Sequence, residues 1–96
     1  MSPDQRVVVV GLGYVGLPLA IAFVEAGLAV QGVDISPDRI GVLADGRSPI
    51  DDISDERLAA ALAGGFTVGT PDAIAIDEAD VIFVCVPTLR AIWPLR

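Results

Sequence analysis

Read for polarity alone, the chain opens on a long uncharged stretch, residues 7–24. The run from Arg6 to Val10, at the start of that stretch, is β-branched from residue 7 on with no alternation of apolar and polar positions, the pattern of a parallel strand buried on both faces. Glycines at 11, 13 and 16 interrupt the run, and residues 17–26 then read as a helix apolar almost all round, with Glu25 its single charge. Pro18 falls near the first turn, where a missing N–H costs little, and Gly27 is placed to end the helix. Residues 29–34 predict a second short strand. Ser36 as N-cap and Pro37 at the first helical position open a second helix over residues 37–44, ending near Gly46. Residues 47–53 read as a loop, because Pro49 and the Asp51-Asp52 pair oppose regular structure. Ser54, Asp55 and Glu56 make an acidic helix start, and the third helix runs over residues 55–63 to Gly64-Gly65. A third strand over residues 66–70, a helical turn over 71–75 and a continuously apolar fourth strand over 81–86 complete the pattern. No repeat or low-complexity segment interrupts it.

Strands alternating with helices in this order describe a parallel sheet with helical crossovers, the first half of a doubly wound α/β fold. The expected architecture is a partial Rossmann fold of four strands in the order 3-2-1-4. A length of 96 residues fits one domain or less. A core in so short a chain is marginal unless something further covers its apolar faces.

Composition narrows the function. Six basic residues, all arginine, against thirteen acidic ones leave a net charge of −7, which excludes a basic nucleic-acid-binding surface. A hydrophobic content of 53% and a mean hydropathy of +0.66 raise the question of a membrane segment in residues 7–24. Three glycines and a proline within that run, behind four consecutive valines, argue for strand, turn and helix instead. With no histidine and Cys85 the only cysteine, zinc sites, Cys/His catalysis and Ser/His/Asp triads are excluded, as is an internal disulfide. A reducing, cytoplasmic setting is the default for such a chain. Cys85, on an apolar strand, reads as a small buried hydrophobe. Asp51, Asp52, Asp55 and Glu56 read as a solvated loop and helix start rather than a metal site.

The chemistry concentrates at Gly11-Leu12-Gly13-Tyr14-Val15-Gly16, a G-x-G-x-x-G string that follows a predicted buried strand and opens a predicted helix. Asp34, at the end of the next strand, lies close to the usual ~20 positions beyond the first glycine. In a dinucleotide site Gly11 permits the tight turn, Gly13 lets backbone approach a pyrophosphate, and Gly16 allows close helix-to-strand packing. Free N–H groups at the helix start receive the phosphate charge, and Asp34 accepts hydrogen bonds from ribose hydroxyls. A carboxylate there also repels the 2′-phosphate of NADP, so NAD is the expected cofactor. The competing interpretation is a glycine turn that only joins strand to helix. Arg39 fits either the adenosine side of the pocket or a solvated helix face. Tyr14 fits either packing or the lining of the cleft.

Residues 9–20, Val9-Val10-Gly11-Leu12-Gly13-Tyr14-Val15-Gly16-Leu17-Pro18-Leu19-Ala20, closely resemble the opening of the UDP-glucose/GDP-mannose dehydrogenase family, the NAD-dependent nucleotide-sugar 6-dehydrogenases. Four further segments are similar in order and spacing: Gly32-Val33-Asp34 with Arg39, the loop from Gly46 to Ile53, Ala79-Asp80-Val81, and Cys85-Val86-Pro87-Thr88. The resemblance covers about residues 6–88. It implies a Rossmann domain that binds NAD, a central helical segment and a second α/β domain. The implied reaction oxidises the sugar C6 alcohol to a carboxylate in two hydride transfers, through a cysteine-linked thiohemiacetal and thioester. The implied cofactor contacts are Gly11, Leu12, Gly13, Tyr14, Val15, Gly16, Asp34, Arg39, Pro87 and Thr88. The loop Ser48-Pro49-Ile50-Asp51-Asp52-Ile53 looks most like the branch acting on UDP-N-acetylhexosamines.

The departures bear on activity. The family nucleophile is a cysteine far downstream that Cys85 does not match, and the family's catalytic lysine has no counterpart in a chain without lysine. No catalytic and no metal-binding residue is therefore assigned. Residues 1–88 are expected to be the N-terminal part of the NAD-binding domain, and residues 89–96 an atypical tail, a truncated or frameshifted end. The expected partners are NAD and, for a full-length parent, a nucleotide-sugar substrate, without nucleic acid or membrane. The chain alone is then a non-catalytic dinucleotide-binding module, or a truncation product that self-associates through the uncovered edge of its fourth strand.

Overall fold

The computed structural model describes residues 4–74 and 76–85. Four strands, β1 (Arg6–Val10), β2 (Ala29–Val33), β3 (Thr67–Gly69) and β4 (Val81–Val84), form one sheet in the order β3-β2-β1-β4. Every pairing is parallel, with Val7 opposite Val30 and Val81, and Val9 opposite Gly32 and Phe83. Three helices, α1 (Gly16–Glu25), α2 (Pro37–Ala44) and α3 (Asp55–Ala63), connect the first three strands. The expected fold class and strand order are therefore present.

Alternation along the strands divides the sheet into two unlike faces. Val7 and Val9 of β1 and Val30 of β2 join Leu17, Ala20 and Ile21 of α1, Leu43 of α2, and Leu58 and Ala61 of α3 in one apolar cluster. Each fully buried leucine there contributes roughly 1.5–3 kcal/mol of transfer free energy. Phe23 of α1 meets Phe83 of β4 with ring centroids 5.1 Å apart, which carries the cluster to the sheet edge. An exposed ion pair, Arg57 to Glu25 at 2.8 Å, ties α3 to α1.

On the opposite face Val8 and Val33 are buried, but Ile82 and Val84 of β4 are 46% and 63% exposed. The uniform apolarity of this run shows that both faces are apolar; it does not show that both are covered. β4 sits at the sheet edge, paired with β1 on one side, and its burial alternates. β1 meets the expectation of a strand buried on both faces, and β4 does not.

Local signals set most boundaries. Helix α1 closes on Gly27 at φ +91°, where the Gly27 N–H donates to the Val24 carbonyl and the Leu28 N–H to the Phe23 carbonyl. The same pair of bonds ends α2 at Gly46 and α3 at Gly65. Helix α1 begins one residue earlier than expected, at Gly16, and β2 stops at Val33, which leaves Asp34 just beyond it. The helical turn expected over residues 71–75 is displaced: residues 71–74 are non-helical turns and a short 3-10 helix follows at Ile76–Glu78. Val86, expected in the fourth strand, lies outside the described residues.

Candidate functional site

Parallel pairing brings the C-terminal ends of β1, β2 and β4 to one rim of the sheet, where the strand order reverses, β2 lying on one side of β1 and β4 on the other. Open α/β sheets bind ligands at such a switch point. A cleft of about 940 Å³ lies there. Gly11, Leu12, Gly13, Tyr14, Val15, Gly16, Asp34 and Arg39 all line it.

The turn out of β1 is built by close approach. Gly11 has φ +95°, and a Cβ there would sit 1.8 Å from the Cys85 carbonyl oxygen. Its N–H donates to the Val33 carbonyl at 2.7 Å, while the Cys85 N–H donates to the Val10 carbonyl at 2.7 Å. A Cβ on Gly16 would lie 1.6 Å from the Gly11 carbonyl oxygen, so the helix can start this close to the strand only with glycine at both positions. Gly13 has a different neighbour: its missing Cβ would meet Arg39 Nη1 at 3.2 Å.

The start of α1 is chemically bare. Its N-cap is Val15, no side chain caps it, and its first turn holds no acidic residue. Tyr14 and Val15 are 76% and 69% exposed, so Tyr14 lines the cleft and does not pack.

Asp34 stands beside this loop, partly buried and doubly held. Its Oδ2 accepts the Leu12 N–H and its Oδ1 the Ser36 N–H, both at 2.9 Å. An ionised carboxylate offers about four acceptor positions, so two remain for a ligand. Arg39 Nη1 donates to the Leu12 carbonyl at 3.2 Å, and the Arg39 N–H donates to Ser36 Oγ at 3.2 Å. This arrangement fits a dinucleotide: a bare helix start for the phosphates, a fixed carboxylate for hydroxyl donors, and apolar walls for ring systems.

Several lining residues lay outside the sequence reading of the site. Ser36 was expected only as a helix cap, yet its N–H also fixes Asp34. Pro49 and Ile50, from the loop before α3, reach the same cleft, as do Ile35 and Val84. Cys85 is half-buried and lines the cleft, contrary to its expected full burial, because it stands at the open end of its strand. Pro87 and Thr88 lie outside the described residues. Among the described residues no group of three or more His, Cys, Asp or Glu side chains is arranged to hold a metal ion. Among them too, no helix is long and apolar enough to cross a membrane.

The profile of the UDP-glucose/GDP-mannose dehydrogenase family, NAD binding domain, matches residues 5–91. The chain belongs to this family. It is 39% identical over 88 residues to a UDP-N-acetyl-D-mannosamine dehydrogenase of Methanococcus aeolicus, covering 88% of this chain and 19% of that protein. It is 41% identical over 86 residues to a GDP-mannose 6-dehydrogenase of Pseudomonas syringae pv. tomato, covering 88% and 20%. Among solved structures, the ternary complex of a GDP-mannose dehydrogenase from Pseudomonas aeruginosa superposes with a TM-score of 0.77 at 34% identity, covering 88% of this chain and 20% of that one. A UDP-N-acetyl-mannosamine dehydrogenase from S. aureus gives 0.74 at 38%, with the same coverage. The chain thus spans about a fifth of the length of these relatives. As the family's NAD-binding domain it takes NAD as cofactor, and the glycine turn, Asp34 and the strand order agree with that membership.

Proposed function

We propose that this chain is the cofactor-holding part of a nucleotide-sugar 6-dehydrogenase and binds NAD in the cleft at the β1, β2 and β4 ends. The observation that carries the proposal is the carboxylate of Asp34, pinned by two backbone N–H groups next to an uncapped glycine-loop helix. In this assignment Gly11, Leu12, Gly13, Tyr14, Val15 and Gly16 form the pyrophosphate turn, and Asp34 accepts from the adenosine ribose. Arg39 bounds the adenosine side, and Pro87 and Thr88 are assigned to cofactor binding on family resemblance alone. When bound there, NAD would supply the acceptor for a hydride from an alcohol carbon of the substrate. Residues 1–88 are taken as the N-terminal part of the domain and residues 89–96 as an atypical tail, of which the family profile still covers residues 89–91.

The relatives are named for UDP-N-acetyl-D-mannosamine, UDP-glucose and GDP-mannose at 36–41% identity, which supports a nucleotide sugar as the class of substrate for a full-length enzyme. Its product, a sugar acid, suits the building of polysaccharides. At a fifth of the relatives' length, this chain alone binds NAD without turning over the sugar. Purified chain mixed with NAD and UDP-sugars is expected to form no NADH; steady NADH formation would reject that part of the reading.

Binding is tested by fluorescence titration with NADH. Asp34→Ala is expected to weaken it about tenfold to a hundredfold, since hydrogen bonds to a charged group are worth roughly 1.5–3 kcal/mol each. Equal affinity in the variant, or no binding by the unaltered chain, overturns the assignment. Exposed Ile82 and Val84 on the edge strand support self-association, which sedimentation velocity over a concentration series reads directly. The single cysteine suits a reducing cytoplasm, and cell fractionation checks this.

A further inference from the structure

Four residues at the cleft close a ring of hydrogen bonds. The Leu12 N–H donates to Asp34 Oδ2, and Asp34 Oδ1 accepts the Ser36 N–H. Ser36 Oγ accepts the Arg39 N–H, and Arg39 Nη1 returns to the Leu12 carbonyl. The ring thus grips one peptide unit of the glycine loop at each end of Leu12, from β2 on one side and α2 on the other. The Leu12 side chain is fully buried in the core cluster, so the loop is held by its side chain from below and by its backbone from above. The space left by the missing side chain of Gly13 is where the Arg39 guanidinium lies, 3.2 Å from the position of a Cβ.

We infer that Arg39 is a positioning residue: by holding the Leu12 carbonyl in the space left open at Gly13, it sets the glycine loop in its phosphate-receiving shape before any cofactor arrives. This rests on the NAD-binding reading of the cleft and gives Arg39 a role in addition to its place on the adenosine side. The physical reason is preorganisation. A loop already fixed loses little conformational freedom when it meets a ligand, so affinity is gained without a new contact. Arginine suits the task because its planar fork stays charged and loses less freedom per hydrogen bond than a lysine does. The inference also gives Gly13 a second bearing on the loop: a Cβ there would push the guanidinium by a few tenths of an ångström, in addition to taking room from a pyrophosphate.

The test reads the loop without cofactor, by amide hydrogen exchange of the full chain, taking the Leu12 rate relative to Val9 in the central strand. Arg39→Met does not touch the Leu12 N–H, yet with the ring intact in the unaltered chain it is expected to raise that ratio about tenfold and to weaken NADH by about the same factor. Gly13→Ala, which crowds the guanidinium, is expected to raise the ratio in the unaltered background and to add nothing when Arg39 is already methionine. An unchanged Leu12 ratio with weakened NADH binding overturns the inference and makes Arg39 a direct cofactor contact, leaving the NAD reading in place. An equal rise from Gly13→Ala in both backgrounds overturns it as well. A raised ratio in a chain that never binds NADH upholds the clamp and removes the NAD reading instead. Should Arg39→Met fail to fold, which the Val9 rate reports, Arg39→Gln, too short to reach the Leu12 carbonyl, is read in its place: no rise in its Leu12 ratio overturns the clamp.

Discussion

Helices α1 and α3 lie side by side in the same layer and end with the same glycine motif, yet they begin in opposite ways. At α3 the chain supplies everything a helix start asks for: Ser54 Oγ accepts the Arg57 N–H at 3.1 Å, and Asp55 and Glu56 answer the helix dipole. Helix α2 follows the same plan with Ser36, Pro37 and Asp38. At α1 none of this is present, and valine and glycine stand where a cap and an acid would. The starts of α3 and α2 are neutralised by their own chain, whereas α1, at the glycine turn, leaves its positive end for a ligand's negative charge. The contrast separates residues kept for stability from residues kept for binding.

The largest break in that comparison comes from filling a glycine. Gly16→Ala places a methyl group 1.6 Å from the Gly11 carbonyl, and rigid backbone cannot yield. A loss of about 3 kcal/mol or more is expected in urea denaturation. Gly41→Ala in α2, with nothing within 4 Å of the new Cβ, is expected to gain up to about 1 kcal/mol from helix propensity. Similar outcomes for the two would contradict the close-approach account of Gly16.

Exchanging the two helix starts has intermediate effects of opposite sign. Val15→Asp supplies α1 with a negative charge and is expected to stabilise the free chain by about 0.5 kcal/mol while weakening NADH about tenfold. Ser54→Ala is expected to cost about 1 kcal/mol and to leave the NADH titration unchanged. Should Val15→Asp leave NADH binding as tight as before, the helix start plays no part in holding phosphate.

The smallest effect belongs to the tie between the two helices. Hydrogen bonds from Arg57 hold the Glu25 carboxyl below its ordinary range, while desolvation opposes this only in part. A carboxylate lowered on folding contributes stability above its unfolded pKa and loses it as pH falls through the folded value. Glu25→Gln is therefore expected to lower Tm slightly at neutral pH and low salt. The difference is expected to vanish at high salt, or at pH well below the ordinary carboxylate range. A difference that persists in acid would assign it to packing.

How much of this was legible beforehand depended on the range of the signal. Caps, glycine stops and β-branched runs are local, and they placed α2 and α3 to the residue and β1 without error. The cleft's framework was legible as well, because the glycine string and Asp34 declare themselves by type and spacing. Contacts made across the fold were not. The bond from Arg39 to the Leu12 carbonyl joins positions 27 apart, and no pattern at either end announces it. The arrival of Pro49 and Ile50 at the cleft depends on where α2 and the following loop turn back. The exposure of Ile82 and Val84 depends on what covers the sheet, a property of neighbours rather than of the strand.

Leu12 occupies an unspecified position of the glycine string, and the structure specifies it closely. Its side chain fills the space that Gly32 leaves empty on the adjacent strand, where a Cβ would come within 2.8 Å of the leucine and 3.1 Å of Phe66. A transplant of the hexapeptide into another strand-turn-helix unit would carry the three glycines and leave this socket behind. The recipient would need a glycine beside the second strand's tip, with an aromatic ring at its back, before the borrowed turn could keep its shape.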